Sequence, residues 1–487
     1  MPPLLNRNVL RTRNVFVAIV AVGLFAMAAK DLTDPDIWWH LQTGRLTLAN
    51  HAVFRTDPYS FTRAGQPWIN HEWLFDVCVF ALFRAGGPAA LILTFGAITA
   101  AGFLLLFLRC EGNPFIAGFV IVWAAVASIP TWGIRPQMIS LFLTSLVLLL
   151  RDSSLRCPRL WWWMVPITLF WVNLHAEFAL GISLLALFVL GDVADAVLGC
   201  ATWPETIPRL RVLGLVLLAC LAVVPLNPYG PRMYSYPIAT VRSAAMQRYI
   251  VEWFSPNFHL TSYLPLLLFL LATLAAVAYS PRRLRPSQVL LLIATMLAAL
   301  FSVRHVPIFL LVAAPVLCGI APVRWRSNGR SGPRAHVPPT IAIAALNVVL
   351  LLAAFSVAIF HVDGVIARQP QAESAQFPEA AASFLSSHFV PGPMFNAYDW
   401  GGYFIWKLYP EYRVCIDGRA DVYGDALLTE YANTYTVTHD WRKLLDRWQI
   451  QAIVVPRDAP LLQVLGATQG WTTVYSDARS VVLRRAL

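Results

Sequence analysis

Of the 487 residues, 58% are hydrophobic and only 13% charged, and the formal net charge is +11. A soluble domain carries about a quarter charged residues, so most of this chain meets lipid rather than water, and a reading of its length as about three soluble domains falls away. The positive charge is almost wholly arginine, lysine standing only at 30, 407 and 443, and it lies in short gaps between apolar runs; without a basic stripe interleaved with aromatics, nucleic acid is not an expected partner.

In chain order, apolar runs at 15–29, 88–108, 114–128, 137–150, 160–172, 178–198, 212–225, 263–279, 287–301, 306–321 and 340–360 predict about eleven transmembrane helices. Several are shorter than the ~20 residues that cross a bilayer, so their ends must reach into flanking loops. Pro114, Pro136, Pro225, Pro265, Pro286 and Pro307 punctuate run ends, where a missing N–H costs least. The first run, with Arg7, Arg11 and Arg13 before it and Ala26-Met27-Ala28 at its end, also has the outline of a secretory signal with a cleavage site. The acidic residues Asp31 to Asp36 directly after it favour a retained helix that positions them.

Arginine sets the orientation. With the N-terminus inside, the inner segments 1–14, 109–113, 151–159, 199–211, 280–286 and 322–339 hold sixteen Arg or Lys. The outer segments 30–87, 129–136, 173–177, 226–262 and 302–305 hold ten, although they are longer in total. The N-terminus is therefore expected in the cytoplasm, and an odd span count puts residues 361–487 outside. The expected plan is a polytopic α-helical membrane domain, 1–360, and a C-terminal soluble α/β domain, 361–487.

Within the outer amphipathic loop 30–87, Trp38, Trp39, Trp68 and Trp73 suit helices at the headgroup level. Residues 73–83 read as a half-immersed helix leading to Gly86-Gly87-Pro88. After 361, β-like runs at 413–416, 452–456, 472–475 and 480–483 alternate with helical patterns at 378–388, 425–435 and 440–448, as in a small α/β domain. Seven cysteines form no C-x-x-C, so neither a disulfide framework nor a zinc cluster is expected.

Polar clusters stand out against this background. Asp34-Pro35-Asp36 can aim two carboxylates at one point, to bind a hard cation or to supply a base; the same residues also read as a helix start, with Asp34 as N-cap and Pro35 in the first turn. Asn70-His71-Glu72-Trp73 is not H-E-x-x-H, since Phe stands at 75, so a zinc-protease reading fails. His71 and Glu72 could join the acidic pair if the loop folds back, or Glu72 could simply favour a helix N-terminus. Asn173, His175 and Glu177 crowd a short turn more than helix capping requires. Arg135, Arg304 and His305 fall at outer run ends, where an arginine offers a planar fork for phosphate oxygens or snorkels to the interface. Glu252 reads as a site residue or as a partner of Arg248. Asp417, Arg419 and Asp421 follow a β-like run, where α/β folds tend to hold ligands, and are candidate acceptor contacts; Asp417 and Arg419 equally read as an ion pair fixing a turn.

A cytoplasmic N-terminus, one span, an immediate outer acidic pair and a long amphipathic loop with a Gly-Gly-Pro entry to the second span together resemble the GT-C superfamily of membrane glycosyltransferases. The bacterial members grouped with protein mannosyltransferases and lipid A aminoarabinose transferases are the most similar. DPDIWWHLQTGR (34–45), TDPYSFTRAGQPWINHEWL (56–74), NLHAE, LNPYG, VRHVPIF and YDWGGYFIWKLYP with IDGRADVYG resemble a bacterial subgroup of that superfamily along nearly the whole chain. The family's adjacent Asp-Glu is Asp-Pro-Asp here, which leaves open which carboxylate is the base.

The resemblance implies transfer of a sugar from a polyprenyl-phosphate-linked donor to a glycan, lipid or protein acceptor at the outer face of the bacterial cytoplasmic membrane. It implies Asp34 or Asp36 as catalytic base, with Mg or Mn as the cation these two would hold if one is used. Arg135 or Arg304 would face the phosphate, His305, His71, Glu72, His175 and Glu177 would complete the substrate site, and the 73–83 helix would lie along the lipid tail. Two other readings stand beside it. One is a non-catalytic glycan- or lipid-binding assembly protein. The other is a transporter, which the near absence of charge inside the runs disfavours.

Overall fold

The computed structural model describes residues 10–280, 283–320 and 339–486. Arg7, Arg282 and all but the last residue of the inner segment 322–339, which entered the orientation argument, lie outside the described residues. The described part of every apolar run is helical. In order, the helices are α1 (Thr12–Ala28), α2 (Ile37–Asn50), α3 (Trp73–Arg109), α4 (Pro114–Ser128), α5 (Pro136–Ser154), α6 (Met164–Leu174), α7 (Phe178–Val197) and α8 (Trp203–Val223). After the short α9 (Arg232–Arg242) and α10 (Ala244–Tyr249) come α11 (Leu264–Tyr279), α12 (Pro286–Phe301), α13 (Val306–Ile320) and α14 (Ile341–Ala367).

Among the described residues, six helices are long and apolar enough to cross a membrane, and Thr12–Ala28, Pro286–Phe301 and Val303–Gly319 are apolar but shorter. The chain is thus a polytopic helical protein. Proline opens α4, α5 and α12, where its fixed φ suits the first turn and no hydrogen bond is lost. Leu24, Phe103, Ile121, Trp171, Leu184, Phe269 and Phe309 fill one continuous bundle core.

α3 breaks where Gly-Gly-Pro predicted it. Gly86 and Gly87 leave helical geometry, Gly87 at φ +60°, a conformation that costs an L side chain roughly 1–2 kcal/mol. Residues 73–85 therefore form a separate segment packed on α2, with Phe75 and Val79 buried, and the second part of α3 starts at Pro88.

α15 (Gln369–Gln376), α16 (Glu379–Ser387), α17 (Gly401–Leu408), α18 (Ala420–Tyr435), α19 (Arg442–Arg447) and α20 (Pro460–Gly466) accompany one sheet of β1 (Met394–Asn396), β2 (Ala452–Pro456), β3 (Trp471–Ser476) and β4 (Ser480–Arg485). The order is β1-β2-β4-β3, with β1 and β2 parallel and the other pairs antiparallel. The expected strand at 413–416 is not one. Val414 makes only isolated bridges to Ser60 and Met394, because its backbone turns to the outer loop, bonding Tyr59 O at 3.1 Å and Phe61 N at 3.1 Å. The three-residue β1 takes its place in the sheet.

Three of the four outer-loop tryptophans lie inside the protein. Trp38, Trp39 and Trp68 are 2%, 5% and 3% exposed, in a core shared with Phe377, Tyr403, Val454 and Val482. Trp38 meets Phe377 and Tyr403 edge-on at 5.5 and 5.2 Å. A buried aromatic removes 150–250 Å² from water, worth about 4–6 kcal/mol each as an upper figure, so burial outweighs interfacial placement.

Candidate active site

Six separated segments meet at one end of the bundle. The Asp34-Pro35-Asp36 turn ends just before α2, whose N-cap is Asp36. Asp34 Oδ1 accepts from the Asp36 backbone N–H at 2.9 Å, and Asp36 Oδ1 accepts from Trp39 Nε1 at 3.1 Å. The helix start expected here is present, with Asp36 rather than Asp34 at the N-cap.

Asp34 Oδ2 takes Arg135 Nε at 2.6 Å and Nη2 at 2.5 Å. Arg135 Nη1 turns to Glu252 Oε1. Arg304 Nη1 lies 4.0 Å from the other Glu252 oxygen, its Nε donates to Glu177 Oε1 at 2.8 Å, and its Nη2 faces His175 Nε2 at 3.1 Å. The result is a run of alternating charge, Asp34–Arg135–Glu252–Arg304–Glu177. Neither arginine snorkels freely; both are fixed by acids from other segments.

Behind this run, Glu72 is ringed by imidazoles: His71 Nε2 at 3.2 Å, His175 Nε2 at 3.4 Å and His40 Nε2 at 3.6 Å. His40 Nδ1 sits 2.6 Å from Asp76 Oδ1, and Asn70 Nδ2 donates to Asp76 Oδ2 at 2.8 Å. Ser140 Oγ anchors His175 Nδ1 at 2.8 Å and accepts from Trp171 Nε1 at 2.8 Å. Trp73 Nε1 donates to Asn173 Oδ1 at 2.8 Å.

Electrostatics separate these groups. Burial, reinforced by the charge on Asp34, pushes the Asp36 carboxyl up to about 7. Burial opposes ionisation of Glu72 as well, but His71 with His175 and His40 outweighs it and holds that carboxyl below its usual range. Burial drives His175 down to about 4, so it is neutral at pH 7. Burial works against the Glu252 carboxylate, and Arg135 with Arg304 overrides it.

Asp34, Asp36, His40, Asn70, His71, Glu72, Arg135, His175, Glu177, Glu252 and Arg304 all border one cleft of about 720 Å³. His305, Asp421, Tyr236, Tyr398 and Asp399 complete its walls. Of the residues singled out from sequence, Asn173 and Asp417 do not reach it. Asp417 is the more informative of the two. Its carboxylate is fully buried, held by Arg419 Nε at 2.8 Å, Arg419 Nη2 at 2.7 Å and Tyr423 Oη at 2.5 Å. Arg419 Nη1 reaches Asp57 at 2.8 Å, and its guanidinium lies over Trp68 and Tyr59 at 4.6 and 4.9 Å. The expected acceptor contact by Asp417 is corrected to a structural one, because every oxygen is already bonded. Arg419 touches the cleft edge, but its donors are spent pinning the C-terminal region to the outer loop. Gly418 between them lies so close to Asp36 that a Cβ would land on that carboxylate.

Sequence reasoning passed over Asp57 and Asp76. Asp76 carried a signal, since an acid inside the apolar run 73–83 needs a buried partner. The 73–83 segment itself borders neither the cleft nor the slot behind Arg135 and Arg304; its buried face is used on α2. Magnesium takes near-octahedral oxygen ligands. Asp34 is turned to Arg135, and among the described residues no three His, Cys, Asp or Glu converge as metal ligands, so the residues as arranged do not fit a resident Mg or Mn.

Among solved structures, the chain is similar to the archaeal oligosaccharyltransferase AglB from Archaeoglobus fulgidus in complex with an inhibitory peptide and a dolichol-phosphate, at 11% identity and TM-score 0.52, covering 90% of this chain and 69% of that one. It is similar to the A. fulgidus oligosaccharyltransferase in complex with Zn and sulfate, at 13% identity and TM-score 0.52, covering 90% and 68%. It is also similar to ArnT from Cupriavidus metallidurans in the apo state, at 16% identity and TM-score 0.50, covering 96% of each chain. At such identities the likeness is one of fold. No family model and no curated protein matches the chain.

Proposed function

We propose that this chain transfers a sugar from a polyprenyl-phosphate-linked donor to a glycan, lipid or protein acceptor at the outer face of the bacterial cytoplasmic membrane. The observation that carries the reading is the place of the Asp34–Arg135–Glu252–Arg304–Glu177 run, at the junction of two unlike cavities. On one side is the polar cleft. On the other is a slot of about 110 Å³ reaching between α5, α7 and α13, walled by Met138, Leu141, Leu180, Ile308 and Leu311. A sugar-phosphate lipid divides the same way: the guanidiniums suit its phosphate oxygens, the slot the start of its chain, and the cleft its sugar. The dolichol-phosphate in the AglB complex supports a lipid phosphate in this fold.

In this reading Asp36 is the base. A carboxylate with a pKa near the working pH both ionises and accepts a proton readily. It takes the proton of the acceptor hydroxyl as that oxygen bonds to the anomeric carbon. The bond from the anomeric carbon to the phosphate oxygen breaks, and its electron pair leaves on the carrier phosphate, which Arg135 and Arg304 stabilise. Asp34 holds Arg135 in place. No step is assigned to a cation.

The topology proposed with it is about eleven crossings, a cytoplasmic N-terminus, a membrane domain of residues 1–360 and an extracytoplasmic region of 361–487. The test is Asp36→Asn, with transfer assayed from lipid-linked sugar extracted from the native membrane. Transfer should fall about 100- to 10,000-fold with undecaprenyl phosphate binding kept. Unchanged transfer would remove Asp36 as base, and no transfer by the wild type would favour the assembly-protein reading.

A further inference from the structure

Glu252 stands where an anion of the substrate would have to stand. Its carboxylate lies between the two guanidiniums, paired with Arg135 and 4.0 Å from Arg304, and a guanidinium fork accepts carboxylate and phosphate oxygens alike. Its backbone does not need to move for it to leave. Ser302 Oγ donates to Glu252 O at 2.8 Å, and Val303 N donates to Phe254 O at 2.9 Å, so the turn is tied down. Its side chain keeps 31% of its surface in the open cleft and can swing by bond rotation alone.

The charge count then limits what can replace it. The run holds two cations, Arg135 and Arg304, and three anions, Asp34, Glu177 and Glu252. Exchanging Glu252 for a singly charged phosphodiester leaves that balance unchanged. A diphosphate brings one more negative charge into a site where Glu72 and Asp36 are close by and no uncommitted cation lines this part of the cleft among the described residues.

We infer that Glu252 occupies the carrier-phosphate position in the empty protein, and that the carboxylates remaining around that position favour donors linked through a single phosphate over those linked through a diphosphate. The inference rests on the carrier reading above and adds the class of donor. At an effective dielectric near 20, one extra unit charge within about 10 Å of a carboxylate changes binding about tenfold or more.

The experiment measures binding of undecaprenyl phosphate, undecaprenyl diphosphate and inorganic phosphate to the purified full chain and to Glu252→Gln, Arg135→Ala and Arg304→Ala. Wild type should bind the lipid monophosphate about tenfold or more tighter than the diphosphate, and inorganic phosphate most weakly. Glu252→Gln should bind both lipids more tightly and keep the preference, a gain that a damaged fold does not produce. Equal wild-type affinities, or unchanged or weaker binding in Glu252→Gln, would overturn the inference while leaving the carrier reading intact. Failure of either lipid to bind wild type, or retention of both by the arginine variants, would instead overturn the carrier site itself. Inorganic phosphate binding as tightly as the lipids would replace the lipid ligand by a free anion.

Discussion

Asp36 carries the sharpest consequences at the scale of one residue, because its two properties pull in opposite directions. A carboxyl raised to about 7 binds its proton more tightly in the folded protein than unfolded. Between the ordinary carboxylate range and pH 7 the folded state therefore holds more protons, and stability falls as pH rises through that window. Activity needs the ionised form, so it should rise over the upper part of the same window and level off above about pH 7. Asp36→Asn removes the cost of the buried charge; its unfolding temperature at pH 8 should equal or exceed that of wild type while transfer is lost. A variant that is both inactive and less stable at pH 8 would mean that Asp36 holds the loop rather than the proton.

That much of the site was legible from sequence has a physical reason. In a chain with so little charge, Asp34, Asp36, His71, Glu72, Arg135, His175, Glu177 and Arg304 each had to be paired or used, and their common outer placement brought them to one cleft. Their partners were not legible. Asp34 with Arg135, or Arg135 with Glu252, joins segments more than a hundred residues apart, and nothing local distinguishes those pairs from Glu252 with Arg248.

At the scale of elements, the contact between the outer loop and the C-terminal region decides where the base sits. Arg419 reaches back across the chain to Asp57 and fills the space over Trp68 and Tyr59. Removing it strands two buried carboxylates. Arg419→Ala should destabilise the protein by about 3–5 kcal/mol, read as a large drop in unfolding temperature in detergent. Arg419→Lys should recover little of it, since an ammonium cannot reproduce the fork; full stability in either variant would show that the contact does not hold the two parts together.

The strand content was read correctly at 452–456 and 480–483, where β-branched runs sit in the sheet's buried middle. It failed at 413–416, where an equally β-like segment pairs with the loop at Tyr59 to Phe61 instead. It also failed at β1, whose three residues follow Pro393 and carry too little pattern to be seen. Three tryptophans of the outer loop were misplaced for a related reason. Amphipathic aromatics suit a headgroup layer and a protein core equally, and only the partner surface from residues beyond 376 separates the two.

For the whole molecule, the charged groups divide between the two ends of the helices. The site cluster lies at one end; Arg109 with Asp152 and Arg151 with Asp192 lie at the other. A transporter is expected to carry such groups near its midplane. The proposed orientation puts the site outside. A cysteine introduced at the exposed Ser374 should react with an impermeant thiol reagent in intact cells, and one introduced at Ser331 should not. Reaction at Ser331 alone would invert the map.

The central claim, a lipid-linked phosphate held between two arginines beside a carboxylate base, is tested most directly by an electron cryomicroscopy structure of the full chain in lipid nanodiscs with undecaprenyl phosphate. The account predicts phosphate density between Arg135 and Arg304, with Glu252 turned out into the cleft, Asp36 facing the phosphate from the cleft, and the first isoprene units in the slot between α5, α7 and α13. Carrier density that lies elsewhere on the protein, with Glu252 still bridging the two arginines, would contradict it.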